Sequence, residues 1–503
     1  MVRVELHVHK IFFTVKLHDN RLRYIMDIFN NHLTTYSVFW NKYKRRPMKN
    51  KDKEYFSYIP RLDEYRYPIN VLRLFMNTLG TSNIQKENID VTFKKDYNYS
   101  FLNLNWNKDI VLRDYQNTYV NELTNTEAKS ILLVDLMVGY GKTTLSMDAV
   151  VKLNRRTGII VIPKYIEKWI EDVQKHTDVD KEDIYVVQGG DSLMNLMLEE
   201  DISYKFIIFS MRTISNYITD YEEGKMPYPI QPPDLMDHLG IGLILNDEMH
   251  QHFHALTKSM LYFDVPKVIG LSATLVSNRK EIDKIYSLIV PPDNRISNIV
   301  KYDKYWNVRS IKYNLEMNRR IQYKRAKGYN HILFEQSICR NSIALRDYIN
   351  MICYYIQIGY IDRKLPGEKL LVFAASVKLC TILTQKIKQR FPRLDVRRFV
   401  EDDPYENIIN AEISVSSIGS AGTAIDIPGL ITCINTISIA SLQANIQAIG
   451  RLRKIPDREV WYYYIWTKDI PNQYKMHLDR FNAIKHDIKE YVEDEYPYTI
   501  KTT

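Results

Sequence analysis

The chain has 503 residues, 45% of them hydrophobic, with a mean hydropathy of −0.32. That length suggests two or three domains, and no apolar run approaches the ~20 residues of a bilayer-crossing helix, so a membrane protein is not expected. The formal net charge of +9 is unevenly placed, because residues 1–110 hold 19 basic and only 11 acidic side chains.

The opening "MVRVELHVHK" breaks any apolar stretch with charge and histidine, so no signal peptide is expected. Alternation in "VRVELHV" and "IFFTVKL" predicts a small sheet. Residues 1–110 thus form a basic α+β accessory domain. Its densest charge is "NKYKRRPMKNKDK" (41–53), with Lys44, Arg45, Arg46 and Lys49 flanked by Phe39, Trp40, Tyr43, Tyr55 and Phe56. Two readings stay open: a solvated basic loop, or a segment that contacts phosphates and stacks on bases.

From residue 130 short apolar runs alternate with segments of helical period. "SILLVDL" (130–136) is apolar on both faces, as a parallel strand covered by helices must be. "TGIIVIP", "IYVVQ", "FIIFS", "IGLILND" and "KVIGLSA" repeat the type. Ile166, Trp169, Ile170 and Val173 fall on one helical face. The pattern predicts a doubly wound α/β domain over 111–295.

Within it, "VGYGKTTL" (138–145) joins a strand to a helix. The position where a phosphate loop usually has its first glycine holds Leu136, yet Gly139, Gly141 and Lys142 remain, with the hydroxyls of Thr143 and Thr144 beside them. Such a turn wraps phosphates with backbone N–H groups and a helix N-terminus. Lys142 adds a point charge, and Thr143 can ligate Mg²⁺. "LILNDEMH" (243–250) is a buried strand ending in two acids and a histidine. Strand ends beside such a loop are where ligands bind. Asp247 is therefore expected to hold Mg²⁺ through water, and Glu248 to act as general base. "LSAT" (271–274) follows, where Ser272 and Thr274 could couple the nucleotide state to a second site.

A second α/β unit is predicted over 296–470, with strands at "KLLVFAAS", "LDVRRFV", "ISVSS", "ITCINTISI" and "VWYYYIW". The Pro-rich "IVPPDNR" (289–295) marks the seam. Residues 471–503 are expected to be a helical tail packing on that unit. The four cysteines, at 339, 353, 380 and 433, contain no C-x-x-C pair, which speaks against a zinc site or disulfide framework and for a reducing, intracellular setting.

The set "GYGKT", "DEMH", "LSAT" and "QAIGRLRK", in that order across residues 111–470, resembles the superfamily 2 helicase and translocase motors. The resemblance implies two tandem RecA-like domains with ATP and Mg²⁺ in the cleft between them. It assigns Gly139, Gly141, Lys142 and Thr143 to motif I; Asp247, Glu248 and His250 to motif II; and Ser272 and Thr274 to motif III. In "LRDYQ" (112–116), Gln116 is the implied reader of adenine, with Arg113 its companion. "SSIGSAGTAIDIPGL" (416–430) resembles motif V and includes Asp426, although Ala424 stands where glycine is usual. In "QAIGRLRK" (447–454), Gln447 and Arg451 fit motif VI, with Arg451 as the arginine finger. Its last position holds Lys454 rather than arginine, and either Arg453 or Lys454 takes the second role. Pro163, Ser210 and Thr213 are implied contacts to a nucleic-acid backbone.

Compact length, "IVIPKYIEKWIEDV" (160–173), "CRNSI" (339–343) and the spacing of "GTAIDIPGL" to "QAIGRLRK" are similar to the viral branch, that is, phage UvsW-type DNA helicases and the related poxviral transcript-release helicase. This implies ATP-driven unwinding, reannealing and branch migration of single-stranded, forked or junction DNA, in host cytoplasm if the protein is viral. The alternatives are an RNA-directed or transcript-release motor on the same motifs, and a nucleotide-dependent scaffold that does not hydrolyse. Complete motifs I and II argue against the last.

Overall fold

The computed structural model describes residues 3–41, 46–125, 129–136, 140–272, 275, 280–297, 304–325, 328–400, 403–421 and 425–503. The chain divides into two compact units, Met1–Val300 and Lys301–Thr503.

The first unit contains two main sheets. In the smaller, strands Ser57–Ile59, Glu64–Pro68, Phe12–Lys16, Val4–Val8 and Ile89–Phe93 lie in that order, antiparallel except for the last pair. Alternation makes Val4, Leu6 and Val8 buried, and helices Asn20–Asn30 and Leu72–Thr81 contribute Phe29 and Phe75 to the same core. The larger sheet has seven strands, all parallel: Ile184–Val187, Phe206–Ser210, Thr157–Val161, Leu243–Asn246, Val268–Ser272, Ile131–Asp135 and Arg295–Ile296. Its central strands are buried throughout because helices cover both faces, which is why they read as unbroken apolar runs. One hydrophobic core joins the two sheets, running from Val4 to Ile84 and again from Ile131 to Val290.

Register puts the carboxyl ends of three parallel strands side by side. Asn246 lies opposite Ile160 and Gly270, and Ser272 lies opposite Asp135. The strand ends at Asp135, Asn246 and Ser272 therefore lie on one edge of the sheet.

The basic run of residues 41–53 is more than a loop. Its described part belongs to an antiparallel ribbon, Thr34–Asn41 paired with Arg46–Glu54, in which Val38 faces Lys49 and Tyr36 faces Lys51. The partner strand, "TTYSVFWN", is β-branched and aromatic, and that composition sustains the ribbon.

The second unit holds another all-parallel seven-stranded sheet: Val396–Phe399, Ile413–Ser417, Lys369–Ala374, Leu430–Asn435, Val460–Trp466, Trp306–Leu315 and Ile488–Ile500. The architecture is thus the expected one: two tandem RecA-like parallel-sheet domains, with a small α+β portion at the start. The tail departs from expectation. It is helical over Pro471–Ile484, but Ile488–Ile500 is a strand on the sheet edge. Pro497 bars a continuing helix, since it lacks an N–H and its ring would clash with the preceding turn. It falls where the pairing register shifts, between Lys312 and Asn314, and an edge strand tolerates proline there.

Candidate active site

Strand Ile131–Asp135 feeds a loop that ends at Gly141, the cap of helix Lys142–Leu153. Gly141 has φ 71°, a left-handed conformation that glycine adopts without a Cβ penalty. A Cβ there would also lie 2.4 Å from Gln116 Nε2. Lys142 begins the helix and its Nζ donates to Leu136 O at 2.8 Å, so the ammonium folds back over the loop. Helix N-termini attract anions, and this one presents Lys142, Thr143 and Thr144, all half-buried, at the strand's carboxyl end. Thr144 is already engaged. Its Oγ1 lies 3.1 Å from His176 Nε2, while His176 Nδ1 donates to Asp172 O at 2.7 Å, so Nε2 accepts the Thr144 hydroxyl. Gly139 and Thr274 lie outside the described residues.

The acids stand two strands away, across Val268–Ser272. Asp247 Oδ2 accepts from Trp169 Nε1 and its Oδ1 from Glu248 N, each at 2.8 Å. Burial pushes the Asp247 carboxyl up, and the neighbouring Glu248 charge acts in the same direction. Glu248 has φ 46°, in the left-handed region that costs a non-glycine residue roughly 1–2 kcal/mol. Its Oε2 is buried without a hydrogen-bond partner, although His250 Nε2 is 3.3 Å away. His250 in turn meets Ser272 Oγ through Nδ1 at 3.0 Å. Burial, reinforced by the Lys142 charge and opposed by Asp247, pulls its imidazole down to about 4, so the ring is neutral near pH 7. Ser272, expected to couple the nucleotide state to a second site, thus touches His250 directly.

This environment fits a divalent cation. Two adjacent carboxylates, one buried and one with an unpartnered oxygen, are what a counter-charge relieves. Among the described residues no cluster of three or more His, Cys, Asp or Glu could hold a metal by itself. That suits Mg²⁺, which is usually shared between one or two carboxylates, water and substrate phosphates.

Gln116 is buried behind the loop. Its Oε1 accepts from Arg113 N at 2.8 Å, and its Nε2 lies 3.4 Å from the carbonyls of Tyr140 and Gly141. Arg113 is exposed, with Nη1 donating to Tyr115 OH at 2.9 Å. The segment "LRDYQ" thus braces the loop directly.

In the second unit, helix Leu442–Ile449 carries Gln447, which is buried. Arg451 is also buried; it donates through Nη1 to Ile425 O and through Nε to Gln447 O. Arg453 pairs with Asp426 at 3.1 Å and caps Gly450 O at 2.9 Å, whereas Lys454 is exposed. Arg451, through Ile425 O, and Arg453, through Asp426, both tie the "QAIGRLRK" segment to the one that holds Asp426.

The expected backbone contacts are placed unequally. Arg46 and Lys49 are exposed on the ribbon, Pro163 is half-buried at the start of a short turn, and Lys44 and Arg45 lie outside the described residues. Ser210 and Thr213 are buried, and the Thr213 hydroxyl accepts from Gly189 N at 2.8 Å. The Thr213 side chain is thus turned to the backbone of the exposed loop at Gly189 and is engaged there. Tyr55 and Phe56, read as flanking aromatics, are buried in the core as well.

Three participants carry no local sequence signal. Trp169 reads as one residue of an apolar helical face, yet it donates to Asp247. Asp135 ends its strand opposite Ser272, and burial raises its carboxyl against the pull of Arg295 and Lys142. Arg480 is buried beside the Gln447 helix, donating to Asn445 Oδ1 at 2.7 Å and to Ile437 O.

Comparison with known proteins gives the following. Residues 109–277 match the family described as Type III restriction enzyme, res subunit. Over 405 residues the chain is 23% identical to the general transcription and DNA repair factor IIH helicase/translocase subunit XPB of Encephalitozoon cuniculi, covering 75% of this chain and 55% of that protein. The chain thus spans about half the length of that relative. Among solved structures, S. cerevisiae Dbp5 bound to RNA and ADP BeF3 has a TM-score of 0.49 at 13% identity, covering 76% of this chain and 89% of that one. T4 UvsW has a TM-score of 0.35 at 12% identity, covering 99% and 100%. Residues 109–277, which hold Lys142, Asp247 and Glu248, thus match that family model, and over three-quarters of its length the chain is similar to a protein named as a helicase/translocase subunit.

Proposed function

We propose that the protein is an ATP-driven DNA helicase or translocase of the UvsW-type viral branch, which unwinds, reanneals and branch-migrates forked or junction DNA. The observation that most supports this is the convergence, on one edge of a parallel sheet, of Lys142, Asp247, Glu248, His250 and Ser272. In this reading Gly139, Gly141, Lys142, Thr143 and Thr144 form the phosphate cradle. Asp247 and Thr143 hold Mg²⁺, which supplies charge neutralisation on the phosphates. Glu248 takes the proton of the attacking water. Gln116 and Arg113 brace the loop on the adenine side. In the second unit Gln447 and Arg451 keep the motif VI assignment that the resemblance gives them, and Arg453 takes the second motif VI role in pairing with Asp426.

The ribbon residues Arg46 and Lys49, with Lys44, Arg45 and Pro163, grip the phosphate backbone without reading sequence. The choice of DNA follows the printed name of the E. cuniculi relative, a DNA repair factor subunit. The test is ATPase rate without nucleic acid and with single-stranded DNA, linear duplex, forked DNA or duplex RNA. Forked DNA is expected to stimulate most. Strongest stimulation by RNA would move the activity to transcripts, and no hydrolysis in any condition would end the proposal.

A further inference from the structure

The exposed ribbon and the acidic turn meet at one joint. Where the ribbon's returning strand ends, Glu54 O lies 2.8 Å from His254 Nε2. A carbonyl can only accept, so Nε2 carries the proton. Tyr55, the next residue, is set edge-on to the His254 ring at 5.1 Å and lies 6.0 Å from Phe253, which packs on Tyr286 at 4.2 Å. Glu222 steadies the surround, accepting from Ser57, Lys258 and Tyr262. Burial lowers the His254 imidazole; the Glu54 carbonyl and Glu222 oppose this, and Lys53 and Lys258 reinforce it.

On the other side, His254 belongs to helix Phe253–Met260, which follows directly on the turn holding Asp247 and Glu248. Gln251 N donates to Glu248 O at 2.8 Å, and His250 reaches Ser272. The strained Glu248 backbone is thus linked through one short helix start to the root of the ribbon. His254 contributes one hydrogen bond and one of the two aromatic contacts of Tyr55 to this joint, and Phe253 and Glu222 hold the rest, so changing His254 removes the link while the neighbouring packing stays.

We infer that His254 is a positioning residue that couples nucleic-acid contact on the ribbon to the hydrolytic turn at Glu248. The inference rests on the helicase reading given above. The binding part of such coupling is reciprocal, so the factor by which DNA changes nucleotide affinity is the factor by which nucleotide changes DNA affinity; the effect on turnover need not be symmetric.

The experiment uses the full chain, ATP, and forked DNA as the probe. It compares the parent with His254→Ala and His254→Gln in DNA-free turnover, DNA-stimulated turnover, DNA affinity without nucleotide, and melting temperature. For His254→Ala we expect DNA-free turnover, affinity and melting temperature close to the parent, and stimulation reduced about fivefold or more, the usual scale of coupling between sites. His254→Gln keeps an N–H donor at similar reach and is expected to retain most of the stimulation. A stimulated parent with equal stimulation in His254→Ala overturns the coupling alone. So does a parallel fall of DNA-free turnover and melting temperature in that variant, because it marks a purely structural role. A parent that no nucleic acid stimulates overturns the helicase reading and this inference together.

Discussion

Glu248 sits at φ 46° with one carboxylate oxygen buried and unpartnered, a costly posture for a side chain that merely decorates a turn. The posture is stable because strand Leu243–Asn246 before it and helix Phe253–Met260 after it are both anchored in the core. If Glu248 is the general base, Glu248→Gln preserves size and loses the proton acceptor. Single-turnover ATP hydrolysis should then fall roughly 100-fold or more, with little change in melting temperature; a rate within about tenfold of the parent would remove Glu248 from that role. The residues readable from sequence were Lys142, which follows a glycine turn and opens a helix, and Asp247, Glu248 and Ser272, which come at the close of apolar runs. Trp169 was not readable as a site residue, because nothing local distinguishes it from Ile170 or Val173 on the same helical face. Only the fold brings its indole N–H to Asp247. Thr213 shows the converse, a hydroxyl in a motif-like position that the fold spends on Gly189.

Most elements were legible because buried parallel strands leave unbroken apolar runs. The two that were not legible are strands whose partners are distant or whose residues are charged. In the ribbon, Lys49, Lys51 and Lys53 alternate, but alternating lysine carries no burial signal, and the pairing with Thr34–Asn41 is what makes a strand of them. "IKEYVEDEYPYTI" was read as part of the helical tail, although its Pro497 bars a continuing helix. The helix before that strand carries His477, whose ring stacks on Trp466 at 4.1 Å and meets Tyr464 OH at 3.0 Å and Ser310 Oγ at 3.4 Å. Tyr474 stands beside it, with Glu493 at 3.8 Å from Nε2. Burial pulls the imidazole down to about 4, with Glu493 opposing and Arg480 reinforcing. A base with a lowered folded pKa binds fewer protons folded than unfolded, so the folded state loses stability as pH falls from about 6.5 to about 4, by at most about 3 kcal/mol. The parent should therefore lose more melting temperature across that window than His477→Gln, and identical slopes would refute the assignment.

At the scale of the molecule, the expected accessory region and the first parallel sheet belong to one unit, a merger that composition could not reveal. Leu6, Phe29 and Phe75 share a core with Phe253, Met260 and Tyr262. Arg66 crosses to Leu261 O at 3.2 Å and Asn70 to Ile289 O at 2.8 Å. Removing residues 1–93 would bare that apolar face, so the truncated chain is expected to aggregate or to melt lower by ~10 °C, the scale of a few kcal/mol in a domain this size. Calorimetry and gel filtration check this; a monomer with unchanged melting would show the region to be a separable appendage. In the second unit, strand Trp306–Leu315 lies between Val460–Trp466 and Ile488–Ile500, partners that the ribosome delivers long after it. Until then its flanks are open backbone, the kind of edge that recruits strands from other chains. The second sheet therefore closes only after its last strands have left the ribosome, whereas the first unit has all of its described strands before residue 300.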